Sequence, residues 1–150
     1  MTDDTCEFPL ENASNAEIDE LLARARTIAV VGVSANPDRD SHRVASYLKA
    51  AGYRVVPVNP GLEEVVGEKV WPDLGSIPAD VAIDIVDIFR RPEHVPPIVE
   101  AAIARGAGAV WMQLGIVNNA AAARAREAGL TVVMDHCIKV EHTLRATRRP

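Results

Sequence analysis

Residues 27–34 read Thr-Ile-Ala-Val-Val-Gly-Val-Ser, an apolar run that ends in a glycine and a hydroxyl side chain. A continuous run of β-branched residues, apolar on both faces, is typical of a central strand in a parallel sheet. A loop with Asn36-Pro37-Asp38 follows, and then a helical pattern that starts at Ser41, the expected N-cap, and ends at Gly52. The segment therefore predicts a strand, a loop and a helix in succession.

The same alternation continues to the end of the chain. Further strands are predicted at residues 53–58, 81–89, 109–114 and 130–134, and helices at 96–104 and 119–128. Turn signals such as Asn59-Pro60-Gly61, and the glycines at 106 and 129, separate these segments. Five strands that alternate with helices predict an α/β fold, a doubly wound parallel five-stranded sheet with helices on both faces.

Length and composition are those of one globular domain: 150 residues, 48% hydrophobic and 25% charged. The net charge of −5 argues against a nucleic-acid or anionic-membrane partner. No stretch approaches the roughly 18 consecutive apolar residues that a membrane helix requires, and the N-terminus is acidic where a secretory signal is basic. We therefore expect a cytoplasmic protein.

The two ends of the chain differ from its body in charge. Residues 1–20 hold seven acids and no base, whereas residues 139–150 hold four bases and one acid. Residues up to about 12 show no periodicity and predict a tail, and a capping box of Ser14 and Glu17 predicts a helix over 14–26. We assign 1–26 as an acidic tail and helix, and 143–150 as a basic C-terminal tail.

In a sheet of this kind ligands bind beyond the carboxyl ends of the strands, where the strand order reverses. Gly32-Val33-Ser34 stands there and leads into a helix N-terminus, which favours an anion such as phosphate. The loop lacks the later glycines of a dinucleotide fingerprint and the lysine of a P-loop. The Ser34 hydroxyl can instead donate to a phosphate, and Arg39 and Arg43 lie within reach. An anion site and a plain strand-to-helix turn both remain open.

Three more strand ends contribute candidate ligands. Asn59-Pro60 ends the second strand, where NAD-binding domains usually place an acid for the ribose. Phe89-Arg90-Arg91 ends the third strand, where a guanidinium group could bind phosphate. Gln113 and Gly115 follow the fourth strand and offer an amide side chain and a close backbone approach.

Catalytic and metal-binding patterns are hard to find. Ser34 lacks a nucleophile elbow because Asn36 stands where a glycine is needed, and the four histidines show no metal spacing. The acids Asp84, Asp87 and Asp135 are expected to bond neighbouring backbone or to position loops. We therefore predict no catalytic residue and no metal site.

Several blocks together resemble the small bacterial CoA-binding proteins, which are single Rossmann-like domains similar to the CoA-binding domain of the succinyl-CoA synthetase α subunit. The matching blocks are VVGVS at 30–34, NPxRxSxRV at 36–44, VPVNP at 56–60, FRRPE at 89–93, VWMQLG at 110–115 and VMDxCIK at 133–139. Three positions depart from the family pattern: Asp40 stands where relatives often have proline, His42 where an aromatic or polar residue varies, and His136 where arginine is expected.

The resemblance implies a CoA-binding domain at 27–142 with coenzyme A as its cofactor, the phosphates of which suit Ser34, Arg39, Arg43 and the helix N-terminus. Gly32, Val33, Ser41, Asn59, Pro60, Phe89, Arg90, Arg91, Gln113, Gly115 and Cys137 complete the predicted site. The chain is too short for the second domain that succinyl-CoA synthetase phosphorylates on histidine. We therefore expect a non-catalytic protein that binds CoA or acyl-CoA, with an acyl-CoA enzyme as a possible partner.

Two alternatives to CoA binding stay open. One is an NADP-dependent enzyme with Arg90 or Arg91 on the 2′-phosphate, and the other is an interaction module whose pocket is vestigial.

Cys6 and Cys137 are too few for a disulfide framework and are expected to be reduced. A buried, structural cysteine is the commoner case at Cys137, but His136 and Lys139 nearby favour a thiolate. Because CoA carries a thiol, we predict a reducible CoA adduct on Cys137 and not on Cys6.

Overall fold

A five-stranded parallel sheet forms the centre of the protein. The computed structural model describes residues 7–146. Within them the strands are β1 Thr27–Val31, β2 Arg54–Val58, β3 Glu64–Val65, β4 Glu68–Lys69, β5 Ile85–Ile88, β6 Ala109–Met112 and β7 Thr131–Val133. The α-helices are α1 Asn15–Arg24, α2 Asp40–Ala50, α3 Val95–Ala104, α4 Asn119–Glu127 and α5 Ile138–Ala146, and short 3₁₀ turns occupy Leu74–Ser76 and Pro92–His94.

The strand order of the large sheet is β2-β1-β5-β6-β7, and every pairing in it is parallel. Helix α2 connects β1 to β2 on one side, after which the chain crosses back to place β5 on the other side of β1. The order therefore reverses between β1 and β5. This arrangement confirms the predicted doubly wound, Rossmann-like sheet, and it creates a crevice at the carboxyl ends of these two strands.

Alternate residues of the strands pack on opposite faces of the sheet, and helices cover both. Ile28 and Val30 of β1 face a layer built from α1, α2 and α5, with buried residues such as Ile18, Leu48 and Ile138. Ala29 and Val31 face α3 and α4, with buried residues such as Val99 and Ala122. Because both faces are covered, the strands are apolar along their whole length, as the run at 27–34 predicts.

The N-terminal helix begins at the predicted capping box. The Ser14 hydroxyl accepts a hydrogen bond from the Glu17 N–H at 3.1 Å, and the Glu17 carboxylate accepts one from the Ser14 N–H at 2.8 Å. The hydrogen bond from the Ser14 backbone N–H lowers the pKa of the Glu17 carboxyl. Helix α1 then buries Ile18 and Leu22 against the sheet.

Hydrogen bonds from neighbouring segments occupy backbone groups at the two outer strands of the sheet, β7 and β2. At the β7 edge, the Asn12 side-chain amide donates to the Met134 carbonyl at 2.8 Å and accepts from the Met134 N–H at 2.9 Å. At the β2 edge, the Trp71 N–H donates to the Pro57 carbonyl at 3.0 Å, and the Asn59 N–H donates to the Trp71 carbonyl at 2.9 Å. Residues 7–12, predicted as tail, thus lie against the domain.

Two elements differ from the prediction in the middle of the chain. The strand predicted at 81–89 starts only at Ile85, because Val81 closes a turn onto Pro78 and the Arg105 guanidinium binds the carbonyls of that turn. The small hairpin β3–β4 lies between the strands predicted at 53–58 and 81–89, where the sequence predicts no strand. Its strands have two residues each, too few to show a period of two.

The C-terminal boundary is also different, since α5 continues to Ala146 through the start of the predicted basic tail at 143–150. Arg145 anchors the helix: it is only 8% exposed and forms ion pairs with Asp19 of α1 and Glu141 of α5. One of the basic residues in the predicted tail, Arg145, therefore forms ion pairs within the domain. Residues 1–6 and 147–150, including Cys6, lie outside the described residues.

The three acids of the later strands have different surroundings. The Asp84 carboxylate accepts the N–H groups of Arg26 and Thr27, both at 2.9 Å, and the Asp135 carboxylate accepts the Gly115 N–H at 2.7 Å, so both bond backbone as predicted. For Asp87 the prediction is wrong. Its side chain is fully buried in β5, neither oxygen has a hydrogen-bond partner, and burial raises the pKa of the carboxyl well above its usual value.

Candidate functional site

A cavity of about 980 Å³ opens at the carboxyl edge of the sheet, above the point where the strand order reverses. Its lining comes from the loop after β1 and the start of α2, from the ends of β2 and β5, from the loop after β6 and from the start of α5. Segments that are distant in the sequence therefore meet there, as the rule for open parallel sheets predicts.

The cavity brings together the predicted site residues with one exception. Those in its lining are Gly32, Val33, Ser34, Arg39, Ser41, Arg43, Asn59, Phe89, Arg90, Arg91, Gln113, Gly115 and Cys137. Pro60 is the exception: it is an exposed turn residue beside Asn59 and does not line the cavity. A proline in this turn directs the chain away from the sheet rather than into the crevice.

Gly32 lets the loop after β1 pass close to the end of β5. Its φ is +89°, which favours glycine, and a Cβ at this position would lie 2.5 Å from the Phe89 carbonyl oxygen and 3.0 Å from the Arg90 Cδ. The Phe89 N–H also donates to the Val31 carbonyl at 2.8 Å. The two loops that carry most of the predicted anion ligands are thus held against each other by backbone contacts.

Hydroxyl and amide side chains hold the loop after β1 in shape. The Ser41 hydroxyl accepts the Ser34 N–H at 2.9 Å, and the Ser34 hydroxyl accepts the Asn36 N–H at 3.0 Å. The prediction of Ser41 as the N-cap of α2 is therefore wrong. The cap lies two residues earlier, at Arg39, which makes no side-chain cap bond, and the helix begins at Asp40.

Several hydrogen-bond donors of the loop after β1 have no acceptor among the described residues. There the N–H groups of Ala35 and Asp40 donate to no acceptor, and the Ser34 hydroxyl acts only as an acceptor, so its proton is free to be donated. Together with the N-terminal end of α2, these donors suit an anion.

Four arginines surround this loop in the cavity lining: Arg39, Arg43, Arg90 and Arg91. Arg43 pairs with Asp40 at 3.2 Å, but both side chains are largely exposed, 52% and 86%, so the pair contributes little. Among residues 7–146 no acid forms an ion pair with the other three. The crevice therefore holds an uncompensated positive charge although the whole chain is acidic.

Two amide side chains in the lining also serve the fold. The Asn59 amide donates to the Val33 carbonyl at 2.8 Å and accepts the Gly61 N–H at 2.8 Å, which fixes the turn after β2. The oxygen of Gln113, a residue only 4% exposed, accepts the Ile138 N–H at the start of α5 at 3.2 Å. Their first role is to join the loops of the crevice to one another.

The far end of the cavity lies beyond β7. Asp135 takes a left-handed conformation with φ of +60°, and its bond to the Gly115 N–H ties the loops after β6 and β7 together. Cys137 follows, half-buried with a free thiol, and lines the cavity while packing against the core. His136 does not line the cavity, since its ring bonds the Asp135 carbonyl instead.

Several lining residues were missed by sequence reasoning, and most of them are apolar. They are Ala35, Asn36, Asp40, Val44, Leu62, Pro92, Leu114, Ile116, Lys139 and Val140. Val140 could not be found because α5 was not predicted. Leu114 and Ile116 stand in a predicted ligand loop, where attention to polar residues alone passed over them.

Among residues 7–146 no group of three or more histidine, cysteine, aspartate or glutamate side chains is arranged to hold a metal ion. No helix in that range is long and apolar enough to cross a membrane.

Known proteins are similar to this chain in sequence and in fold. A family model described as a CoA binding domain matches residues 26–143. The uncharacterized protein YneT of Bacillus subtilis (strain 168) is 45% identical over 135 residues, 90% of this chain and 98% of that protein. The crystal structure of Prb, the PH1109 protein redesigned for binding, has a TM-score of 0.88 at 39% identity and covers 94% of this chain and 98% of that one. A hypothetical protein from Pyrococcus horikoshii OT3 has a TM-score of 0.85 at 40% identity and covers 96% and 98%.

Proposed function

Because this chain belongs to the CoA-binding domain family, as its sequence blocks indicate, we propose that it is a non-catalytic protein that binds coenzyme A in the crevice above β1 and β5. In this proposal the loop after β1 holds the phosphates of the ligand. The observation that carries it is the convergence of Arg39, Arg90 and Arg91, which have no acidic partner among residues 7–146, on a loop with free N–H and hydroxyl donors.

The charges of the ligand match those of the crevice. Coenzyme A carries a pyrophosphate and a further phosphate on the ribose, and guanidinium groups bind phosphate with two parallel hydrogen bonds. The hydroxyl of Ser34 and the N-terminal end of α2 add donors on the side of β1. The arginines after β5 supply the opposite wall.

The absence of catalysis in the proposal is supported by the chemistry of the lining. Besides the arginines, its ionisable side chains among the described residues are those of Asp40, Cys137 and Lys139. Asp40 is exposed and paired with Arg43, so no carboxylate or imidazole stands ready as a general base. We further propose a cytoplasmic protein that delivers CoA or acyl-CoA to a partner enzyme or senses its level.

The experiment compares the melting temperature of the protein with CoA, NADP and NAD at matched concentrations. A ligand that binds only the native state stabilises it by about 2.7 kcal/mol at a hundredfold excess over Kd. For a chain of this length that is a rise of roughly 5–11 °C. CoA is expected to give the rise, whereas NAD is not, because Asn59 directly follows β2 at the position where an acid would bind the ribose.

The other outcomes separate the remaining candidates. A rise with NADP and none with CoA would refute the proposal in favour of an NADP-dependent enzyme. No rise with any of the three, together with no bound species in native mass spectrometry of the purified protein, would leave an interaction module with a vestigial pocket.

A further inference from the structure

We propose that the β7 end of the cavity binds the acyl group of a CoA thioester, so that short aliphatic acyl-CoAs are bound more tightly than free CoA. This inference rests on the proposed function, because it needs the CoA phosphates at the β1 end. It adds a second, apolar subsite and names the chemical class of the group that occupies it.

The strand order separates the arginines of the lining from its exposed apolar side chains. The hydroxyl and arginine side chains follow β1 and β5, which are neighbours in the sheet. Leu114 and Ile116 follow β6, and Val140 lies in the first turn of α5, whose first residue bonds the Gln113 side chain after β6. Apolar residues such as Val44 and Leu62 also line the β1 end, but the large apolar side chains that are exposed in the described lining are Leu114 and Val140.

Solvent exposure singles out the apolar end. Large hydrophobic side chains that are exposed in residues 7–146 are Phe8, Leu10, Leu114, Val140 and Leu144. Of these, Leu114 at 70% and Val140 at 51% line the cavity, and the others do not. An apolar side chain left in water at the rim of a pocket is stabilised when an apolar ligand covers it. Their position predicts a ligand with an apolar end.

The length of the pantetheine arm brings the sulfur to this end. From β1 to β7 there are three strand spacings, or about 14 Å. The arm between the phosphates and the sulfur has roughly a dozen bonds, and an extended chain of that length spans about 14 Å. With the phosphates at Ser34, the arm is therefore long enough to carry the sulfur across the sheet to the end of the cavity that Cys137 lines. Any group attached to the sulfur extends toward Leu114 and Val140.

Lys139 also lines the cavity, and its positive charge would suit a carboxylated acyl group. Its ammonium group lies over the ring of Tyr47, 5.7 Å from the ring centroid, and forms no ion pair with a described residue. The side chains at the rim, Leu114 and Val140, are both apolar. They favour an unsubstituted aliphatic chain.

The test measures the affinities of CoA, acetyl-CoA, butyryl-CoA and hexanoyl-CoA by calorimetry on the full chain. A methylene group removed completely from water raises affinity about fourfold, and at an open rim we expect about half of that, or twofold per methylene. Hexanoyl-CoA is then expected to bind about 16-fold more tightly than acetyl-CoA. Equal affinities across the series, with CoA itself bound, would refute the acyl subsite and leave the proposed function intact. No binding of any of the four would refute both.

Variants locate the subsite. In the double variant Leu114→Ser/Val140→Ser the gain with chain length, taken as the ratio of the affinities for hexanoyl-CoA and acetyl-CoA, is expected to fall below threefold. Both side chains are exposed, so the fold should tolerate the change, and a melting curve checks it. Leu144→Ser is the matched control, since Leu144 lies one turn further along α5, is also 51% exposed and does not line the cavity. A full chain-length gain in the double variant would refute the assignment to these residues.

Discussion

Replacing Asp87 by leucine is expected to stabilise the protein. Leucine has the same number of side-chain heavy atoms in the same branched arrangement, so Asp87→Leu keeps the shape while removing two buried oxygens that have no hydrogen-bond partner. The neighbours in register on either side are Val30 and Trp111, both fully buried, so the new methyl groups meet a largely apolar environment. The cost of one such unsatisfied polar group is about 1–3 kcal/mol.

The gain should depend on pH in a defined direction. Burial raises the pKa of Asp87 in the folded state above its unfolded value of about 4. Above pH 4 the unfolded chain therefore releases a proton that the folded protein keeps, and the wild type loses stability as pH rises, by up to about 1.4 kcal/mol per pH unit, until the folded carboxyl also ionises. Asp87→Leu lacks this loss, whereas the other titrating groups are common to both proteins.

Urea denaturation of both proteins from pH 4 to pH 8 measures the difference in the free energy of unfolding. At pH 4 we expect an advantage of about 1–3 kcal/mol for the variant, equivalent to roughly 2–12 °C in Tm, and a larger one at pH 7. Asp84→Leu is the control with the opposite sign: its carboxylate accepts two backbone N–H groups, so the change should destabilise by about 1–3 kcal/mol. An Asp87→Leu protein that is less stable than wild type at pH 7, with a difference that is flat in pH, would show that the carboxyl is satisfied in solution.

Four further predictions concern the crevice. Arg39→Ala should weaken CoA binding by about 1–3 kcal/mol in calorimetry at low salt. The control Arg54→Ala changes an exposed arginine at the first residue of β2, away from the carboxyl ends of the strands, and should not weaken binding. Equal effects of the two changes would remove Arg39 from the site. Asp40→Asn should strengthen binding by about 0.5–1 kcal/mol, an effect that disappears at high salt, because it removes a negative charge and releases Arg43. Gly32→Val should lower Tm as well as affinity, because its Cβ would lie 2.5 Å from a backbone oxygen; a normal melting curve would contradict this. With CoA disulfide, the thiolate of Cys137 should attack one sulfur, form a protein–CoA disulfide and release one CoA thiol, and peptide mapping before and after reduction decides whether the adduct lies there or on Cys6.

The sheet could be predicted from the sequence because its strands carry strong local signals. Buried on both faces, β1 is an unbroken apolar run, and the glycines at 52, 106 and 129 mark where helices end. The rule that ligands bind at the carboxyl edge then pointed to the loops that line the cavity, without any knowledge of the packing. Most of the residues in the cavity lining follow from these two steps.

What could not be predicted depends on contacts between distant parts of the chain. Helix α5 shows no simple amphipathic pattern, since it buries Ile138 and Arg145 and exposes Val140. Arg145 reads as a solvated charge until Asp19 of α1 is placed beside it. Serine is a common helix cap, but the Ser41 hydroxyl accepts the Ser34 N–H, because the loop after β1 folds back over α2. The sequence predicts that Asp87 bonds backbone or positions a loop, because nothing in its own segment reveals that the carboxyl has no hydrogen-bond partner.

The contacts that finish the sheet bear on how copies of this protein can meet. A side-chain amide has the same donor and acceptor as a peptide group, so Asn12 occupies the hydrogen-bonding positions at Met134 that a strand from another molecule would use. At the opposite edge Trp71 takes the carbonyl of Pro57, and proline itself offers no N–H. At each edge these contacts therefore occupy backbone groups that intermolecular β-pairing, the usual route from an open sheet to aggregation, would need. Contacts between copies of this protein are accordingly favoured at its helices and loops.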